Sequence, residues 1–278
     1  MRKMPERRKG SPMLEILAID LAGAYKAPIP EALAFLYAFF PLLFSFAAFM
    51  TFAMHTISDE ARLLTVMSLS QRVLSLITIG LILKNVSYGL ANELRKGLIQ
   101  TYMTYPIGRG RLLFVKLLTG VLVPIGYVAF SVLLFTAINM PDLAAEHPHV
   151  LALGLLAMVG ELLFMASLLF ITAIMVKRGG ISLAAGIALI FIIQIISAFL
   201  LIGAALTKDV AYLHAMYVLD PFAALLDHYQ GGRALPWATD TWRPAFWDCV
   251  GYLIAHYAIL IAIFTAAFVY FIRRFEPT

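Results

Sequence analysis

A carboxylate inside an apolar run is the first residue of this sequence that could do chemistry. Glu161 stands near the centre of the apolar stretch 150–176, and an acidic side chain at the midpoint of a lipid-embedded helix costs about 2.5–3.5 kcal/mol on insertion scales. It needs a partner or a proton. Arg72 and Lys84, in the stretch 63–91, are its predicted partners. A tie between helices is the first reading of Glu161, and contact with a transported substrate the second. Gln194, in the stretch 181–206, is expected to make a packing hydrogen bond for the same reason. Ser68, Gln71, Ser75, Thr78 and Asn85 fall within about 100° on one face of a helix. Such a stripe should avoid lipid. It faces a translocation path or a dimer axis, or else its hydroxyls bond their own backbone while its amides bind neighbouring helices. His256, one turn after Tyr252, has no ligand partner at a useful spacing and is expected to be an interfacial hydrogen-bonder.

Other chemistries lack their residues. The sequence holds no H-E-x-x-H and no G-x-S-x-G, and its apolar stretches hold no paired carboxylates at helical spacing for an intramembrane enzyme. It also lacks G-x-x-x-x-G-K-[ST], and the Gly179-Gly180 pair is followed by Ile181, so nothing grips a phosphate in the P-loop manner. Cys249, the only cysteine, supports neither a disulfide framework nor a metal cluster. The chain is not expected to be an enzyme by itself.

The elements that position these residues follow from composition. The 278 residues are 62% hydrophobic and 13% charged, with mean hydropathy +0.89, whereas a soluble domain carries about 25% charged residues. Each crossing helix needs about 20 apolar residues, and six stretches qualify: 32–54, 63–91, 112–138, 150–176, 181–206 and 249–272. The predicted fold is an all-α membrane protein, with one six-helix transmembrane domain over 32–278 after a cytoplasmic tail and interfacial segment at 1–31. Small residues in the fifth span, Ser182, Ala185, Gly186 and Gly203, are expected to let helices approach closely.

Orientation follows from charge. Sixteen of the 21 Lys and Arg residues fall on the side shared by the termini: those from Arg2 to Lys26 and from Lys84 to Lys116, then Lys177, Arg178, Arg273 and Arg274. Arg62, Arg72, Lys208, Arg233 and Arg243 fall on the other. By the positive-inside bias both termini are expected in the cytoplasm of a multi-pass plasma-membrane protein. No short apolar run with a cleavage site follows the basic Met1 to Gly10, so no cleaved signal peptide is expected. The pI near 9.3 reflects these flanking charges rather than one basic patch, which argues for a lipid bilayer and against nucleic acid as the partner.

Three segments are neither span nor simple loop. Met13, Leu14, Ile16, Leu17, Ile19 and Leu21 alternate with Glu15 and Asp20 before Pro28 and Pro30, which predicts an amphipathic interfacial elbow helix. The segment 207–248 mixes apolar stretches with Pro221, Pro236 and Pro244 and holds Trp237, Trp242 and Trp247. Indoles favour the membrane boundary, so short re-entrant or interfacial helices are expected before the last span. The third segment, Asn92 to Lys116, joins spans two and three. Leu94, Leu98, Thr101, Tyr102 and Tyr105 share an arc of about 100°, predicting a short amphipathic helix that Pro106 stops.

This third segment resembles the ABC-2 family of transporter permeases on Glu93, Gly97, Pro106, Arg109 and Lys116, with Leu98 standing where the family carries Thr. The elbow, the six spans and Leu219-Asp220-Pro221-Phe222 with Gly231 before the last span resemble the family's layout. The resemblance implies a coupling helix that docks on a separate ABC ATPase subunit through Glu93, Leu94, Gly97, Leu98, Tyr102, Tyr105, Pro106 and Arg109. It further implies that ATP and Mg belong to that partner with no cofactor on this chain, that a second permease copy completes the unit, and that transport is export. A stand-alone secondary transporter or channel is the alternative, and of the carboxylates it would use only Glu161 qualifies.

Overall fold

The computed structural model describes residues 12–26, 32, 35–37, 58–97, 108–234 and 241–274. Among them five helices are long and apolar enough to cross a membrane: Leu74–Arg95, Arg109–Asn139, Pro148–Val176, Gly179–Thr207 and Phe246–Arg273. They coincide with the second to sixth predicted spans, and the chain has the character of a multi-pass membrane protein. The first predicted span, 32–54, lies outside the described residues apart from 32 and 35–37.

Helix α1 (Pro12–Ala24) covers the predicted elbow. Ile16 is buried, while Leu14 and Ile19 are 60% and 53% exposed, an apolar face that suits lipid better than water. Helix α2 (Asp59–Ile82) starts at Ser58, whose side chain accepts from the Ala61 N–H at 3.3 Å. Asp59 and Glu60 in its first turn meet the positive end of the helix dipole. The helix continues through a π-wound segment, Leu83–Leu90, into α3 (Ala91–Arg95). The next crossing repeats the device: α4 (Arg109–Leu117), π winding over Leu118–Leu122, then α5 (Val123–Asn139). Pro124 explains the second π segment. It has no N–H for the carbonyl four residues back, and its ring crowds that turn. The two π segments meet where Gly120 lies so close that a Cβ there would be 3.0 Å from Val86 Cγ2.

After the short α6 (Pro141–Glu146), α7 (Pro148–Val176) runs through the centre of the bundle. It packs on α2, on α8 (Gly179–Thr207) and most extensively on α11 (Phe246–Arg274). Phe170 of α7 stacks on Phe268 of α11, with ring centroids 6.3 Å apart. Helix α8 is peripheral, with only 6% of its most apolar window buried by the rest of the chain. It joins the bundle at Gly186, where a Cβ would stand 2.7 Å from Leu169 Cδ2. That close approach is what the small residues of this span predict.

Between α8 and α11 the chain forms α9 (Ala211–Leu219) and α10 (Pro221–Tyr229), which pack into the bundle against α2, α7 and α11. Two-residue strands follow, β1 (Arg233–Ala234) and β2 (Thr241–Trp242), antiparallel with Arg233 opposite Trp242. Apart from this one small hairpin the regular structure of the described residues is helical, in keeping with the all-α membrane fold expected from sequence.

Candidate functional site

Two polar centres lie inside the bundle. The first is at the end that carries α1 and the connection from α3 to α4. Lys116 of α4 is only 6% exposed, and its ammonium pairs with Asp20 of α1 and with Glu93 of α3, the latter at 2.6 Å. Thr119 Oγ1 donates to the other Asp20 oxygen at 2.5 Å, and Tyr25 OH donates to the Thr119 carbonyl at 2.9 Å. Asn85 Nδ2 reaches Tyr25 OH at 3.5 Å. A buried ammonium is tolerable only when paired and hydrogen-bonded, and here one lysine holds three segments of chain together. Burial first, then the phenols of Tyr127 and Tyr37, pushes Tyr25 above the usual tyrosine range and keeps it a neutral donor.

The predicted coupling residues divide around this centre. Glu93 belongs to it, Leu94 beside it is buried, and Gly97 leaves the helix end at φ +68°. Arg109 opens α4, and its Nη1 donates to the Ile272 carbonyl of α11 at 3.3 Å. Leu98, Tyr102, Tyr105 and Pro106, with the predicted amphipathic helix that contains them, lie outside the described residues.

The second centre is mid-bundle. Gln71 Nε2 of α2 donates to Glu161 Oε2 of α7 at 2.9 Å. The predicted partners of Glu161 do not reach it: Arg72 is exposed, and Lys84 donates to the Ala24 carbonyl at 3.2 Å. Successive residues on a helix point about 100° apart, so with Gln71 facing α7 its neighbour turns outward. Asp220, at the joint of α9 and α10, is a close acidic neighbour of Glu161 and accepts the Ala223 N–H at 2.9 Å. Glu161 lies 13 residues into α7, about 20 Å along it, so the α9–α10 joint reaches deep into the bundle.

The remaining stripe residues serve separate neighbours. Ser68 Oγ bonds the Thr65 carbonyl of its own helix at 2.7 Å. Thr78 bonds the Leu74 carbonyl at 2.8 Å and shares a 2.6 Å hydrogen bond with Tyr37 OH, while Asn85 turns to α1. Ser75 Oγ is buried without a hydrogen-bond partner among the described residues. Gln194 differs from expectation. It is exposed on α8 and makes no hydrogen bond to the described residues, because α8 offers the bundle only one narrow face. His256 also differs, being buried rather than interfacial, since α9 folds over it and its Nδ1–H donates to the Val218 carbonyl at 2.8 Å.

Sequence reasoning did not single out Asp20 as the partner of Lys116. The available signal was an acidic residue among the apolar positions of α1, which a purely interfacial helix has no reason to keep. A third network, in the α9–α10 cap, was also missed. Tyr217 OH donates to Asp227 Oδ2 at 2.6 Å, Arg233 pairs with the same oxygen at 2.9 Å, and the Trp242 ring stacks on Tyr217 at 5.7 Å. Among the described residues no group of three or more His, Cys, Asp or Glu is arranged to hold a metal ion. Comparison with known protein families found no match, and neither did comparison with curated proteins.

Proposed function

We propose that this chain is the membrane-spanning permease subunit of an ATP-driven ABC exporter, working as one of two copies with a separate ATPase that brings the nucleotide and Mg. The observation that supports it best is the Lys116 centre, where Glu93, at the start of the connection that resembles a coupling segment, is tied to α4 and through Asp20 to α1. Motion delivered to that connection enters two crossing helices and the elbow at once. Both helices carry π winding beside the centre, and π winding inserted in an α-helix is frequent at functional sites. Dimerising ATPase subunits would push on Leu98, Tyr102 and their neighbours, and the path would open where two copies meet.

The test is co-expression with a candidate ATPase in lipid vesicles. ATP turnover should rise on assembly and should be lost in the chain carrying Leu98→Glu and Tyr102→Glu. Turnover that survives both substitutions would sink the coupling assignment.

A stand-alone secondary transporter is the second reading, favoured by Glu161 beside Asp220 within the bundle. It predicts substrate movement driven by an ion gradient without ATP, abolished by Glu161→Gln.

A further inference from the structure

A cavity of about 460 Å³ opens beside the Lys116 centre, between α1 and the two π-wound segments. Its lining sets the polar and charged Asp20, Glu93, Lys116, Thr119 and Asn85 among apolar surface from Leu90 and the neighbouring small residues. Its rim carries exposed Ile19, Gly23, Lys84 and Tyr88. We propose that this cavity binds the headgroup of an aminophospholipid from the leaflet in which α1 lies, with Lys84 at the phosphate and the Asp20–Glu93 side of the lining at the primary ammonium.

The chemistry follows from the charges. Among the described residues two carboxylates face one ammonium at the Lys116 centre, which gives it an acidic character, while Lys84 supplies a positive charge at the rim. A group that is cationic at its tip and anionic one short spacer behind it matches that order from inside outward. A primary ammonium can donate three hydrogen bonds, and carboxylates and the Asn85 carbonyl can accept them. A quaternary trimethylammonium donates none, and a glycerol headgroup brings no cation. The rim favours a lipid over a soluble molecule, because Ile19 and Tyr88 expose an apolar side chain and a ring at the mouth, where acyl chains would cover them. Depth agrees as well. Lys116 lies seven residues into α4, about 10 Å from its start, and so toward one end of a crossing helix long enough to span the hydrocarbon core and reach into the headgroups. The site does not depend on the chain's working with an ATPase.

The experiment uses the full chain in nanodiscs containing equal parts of phosphatidylethanolamine, phosphatidylcholine and phosphatidylglycerol, extracted and washed with detergent, with retained lipid measured by mass spectrometry. Phosphatidylethanolamine should be enriched about tenfold over the other two, a differential affinity of one order. Gly23→Leu should abolish that enrichment without lowering the melting temperature, because a Cβ at Gly23 meets nothing within 4 Å, the side chain grows into open space at the rim, and leucine suits a helix better than glycine. Lys84→Ala, at an exposed position, should reduce it separately. Soluble phosphoethanolamine should not displace the bound lipid. Equal retention of the three lipids would overturn the headgroup assignment. Enrichment unchanged in both variants would overturn the site, and displacement by the soluble headgroup would overturn the lipid as its source.

Discussion

Gln71 Nε2 donates to Glu161 Oε2 at 2.9 Å and so joins α2 to α7 through residues 90 positions apart. A carboxyl group inside a bundle has no water to fall back on, and removing the Gln71 amide leaves Glu161 only its contacts with Asp220 and the Phe222 backbone to offset its desolvation. Gln71→Leu is expected to destabilise the chain by about 1–3 kcal/mol. Glu161→Gln, which keeps an oxygen in place to accept the bond, should cost less than about 1 kcal/mol. Thermal unfolding of the two variants in one detergent checks the order. A Gln71→Leu chain as stable as the wild type rejects the tie.

Lys116 poses a sharper case, because its removal leaves two carboxylates facing each other. Breaking a buried ion pair from one side costs about 3–5 kcal/mol, and the lower end applies here because Glu93 remains 26% exposed. Lys116→Met should therefore be strongly destabilising. Adding Asp20→Asn and Glu93→Gln to it should recover most of the loss, since the repulsion goes with the charges. Residues of one network are expected to be non-additive by about 0.5–3 kcal/mol. Denaturant unfolding of the single and combined variants measures that coupling, and simple additivity would dissolve the cluster into independent contacts.

Much of the architecture is legible in the sequence because apolar run length is a local property. The stretch read as 150–176 is the helix Pro148–Val176, and 181–206 is Gly179–Thr207. The site is less legible because partners are chosen by helix rotation. Whether Gln71 or Arg72 faces α7 depends on how α2 packs, and no periodicity within α2 alone decides it. The stripe from Ser68 to Asn85 assumes one continuous α-helical twist, whereas the chain goes over to π winding at Leu83, so Asn85 is carried round toward α1. The pairing of Asp20 with Lys116 spans 96 positions, and although the acidic residue stands out in α1, a single sequence does not say which distant cation it meets.

The hairpin over the cap depends on Gly232. Its φ is +101°, and a Cβ added there would stand 2.7 Å from the Trp242 carbonyl oxygen. Backbone, unlike the end of a flexible side chain, cannot step aside cheaply. Gly232→Ala is expected to cost about 1–3 kcal/mol and to loosen Arg233 from Asp227. Gly251→Ala, with nothing within 4 Å and a helical backbone, should be stabilising by about 0.5–1 kcal/mol. Comparing their melting temperatures tests the assignment, and equal effects of the two would contradict it.

The same cap should respond to alkali through Tyr217. Burial raises its phenol above the ordinary range, and the hydrogen bond to Asp227 and that carboxylate's charge raise it further, while Arg233 opposes them. The unfolded value is about 10. A group whose folded pKa lies above its unfolded one contributes stability that is complete below about pH 10 and is lost as pH rises toward the folded value. The folded state must either hold the phenol neutral at growing cost or open. Because the Trp242 ring stacks on Tyr217 at 5.7 Å with planes 13° apart, opening should appear as a change in tryptophan fluorescence. That change should accompany the tyrosinate absorbance that develops above about pH 10. Tyr217→Phe forfeits the bond to Asp227 and should be less stable at neutral pH, yet its cap should lose less on going to alkali. Tyr229 is also raised by burial, so some alkaline response remains in the variant. A Tyr217→Phe chain whose fluorescence changes over the same pH range and to the same extent as the wild type would show that the cap does not depend on this proton.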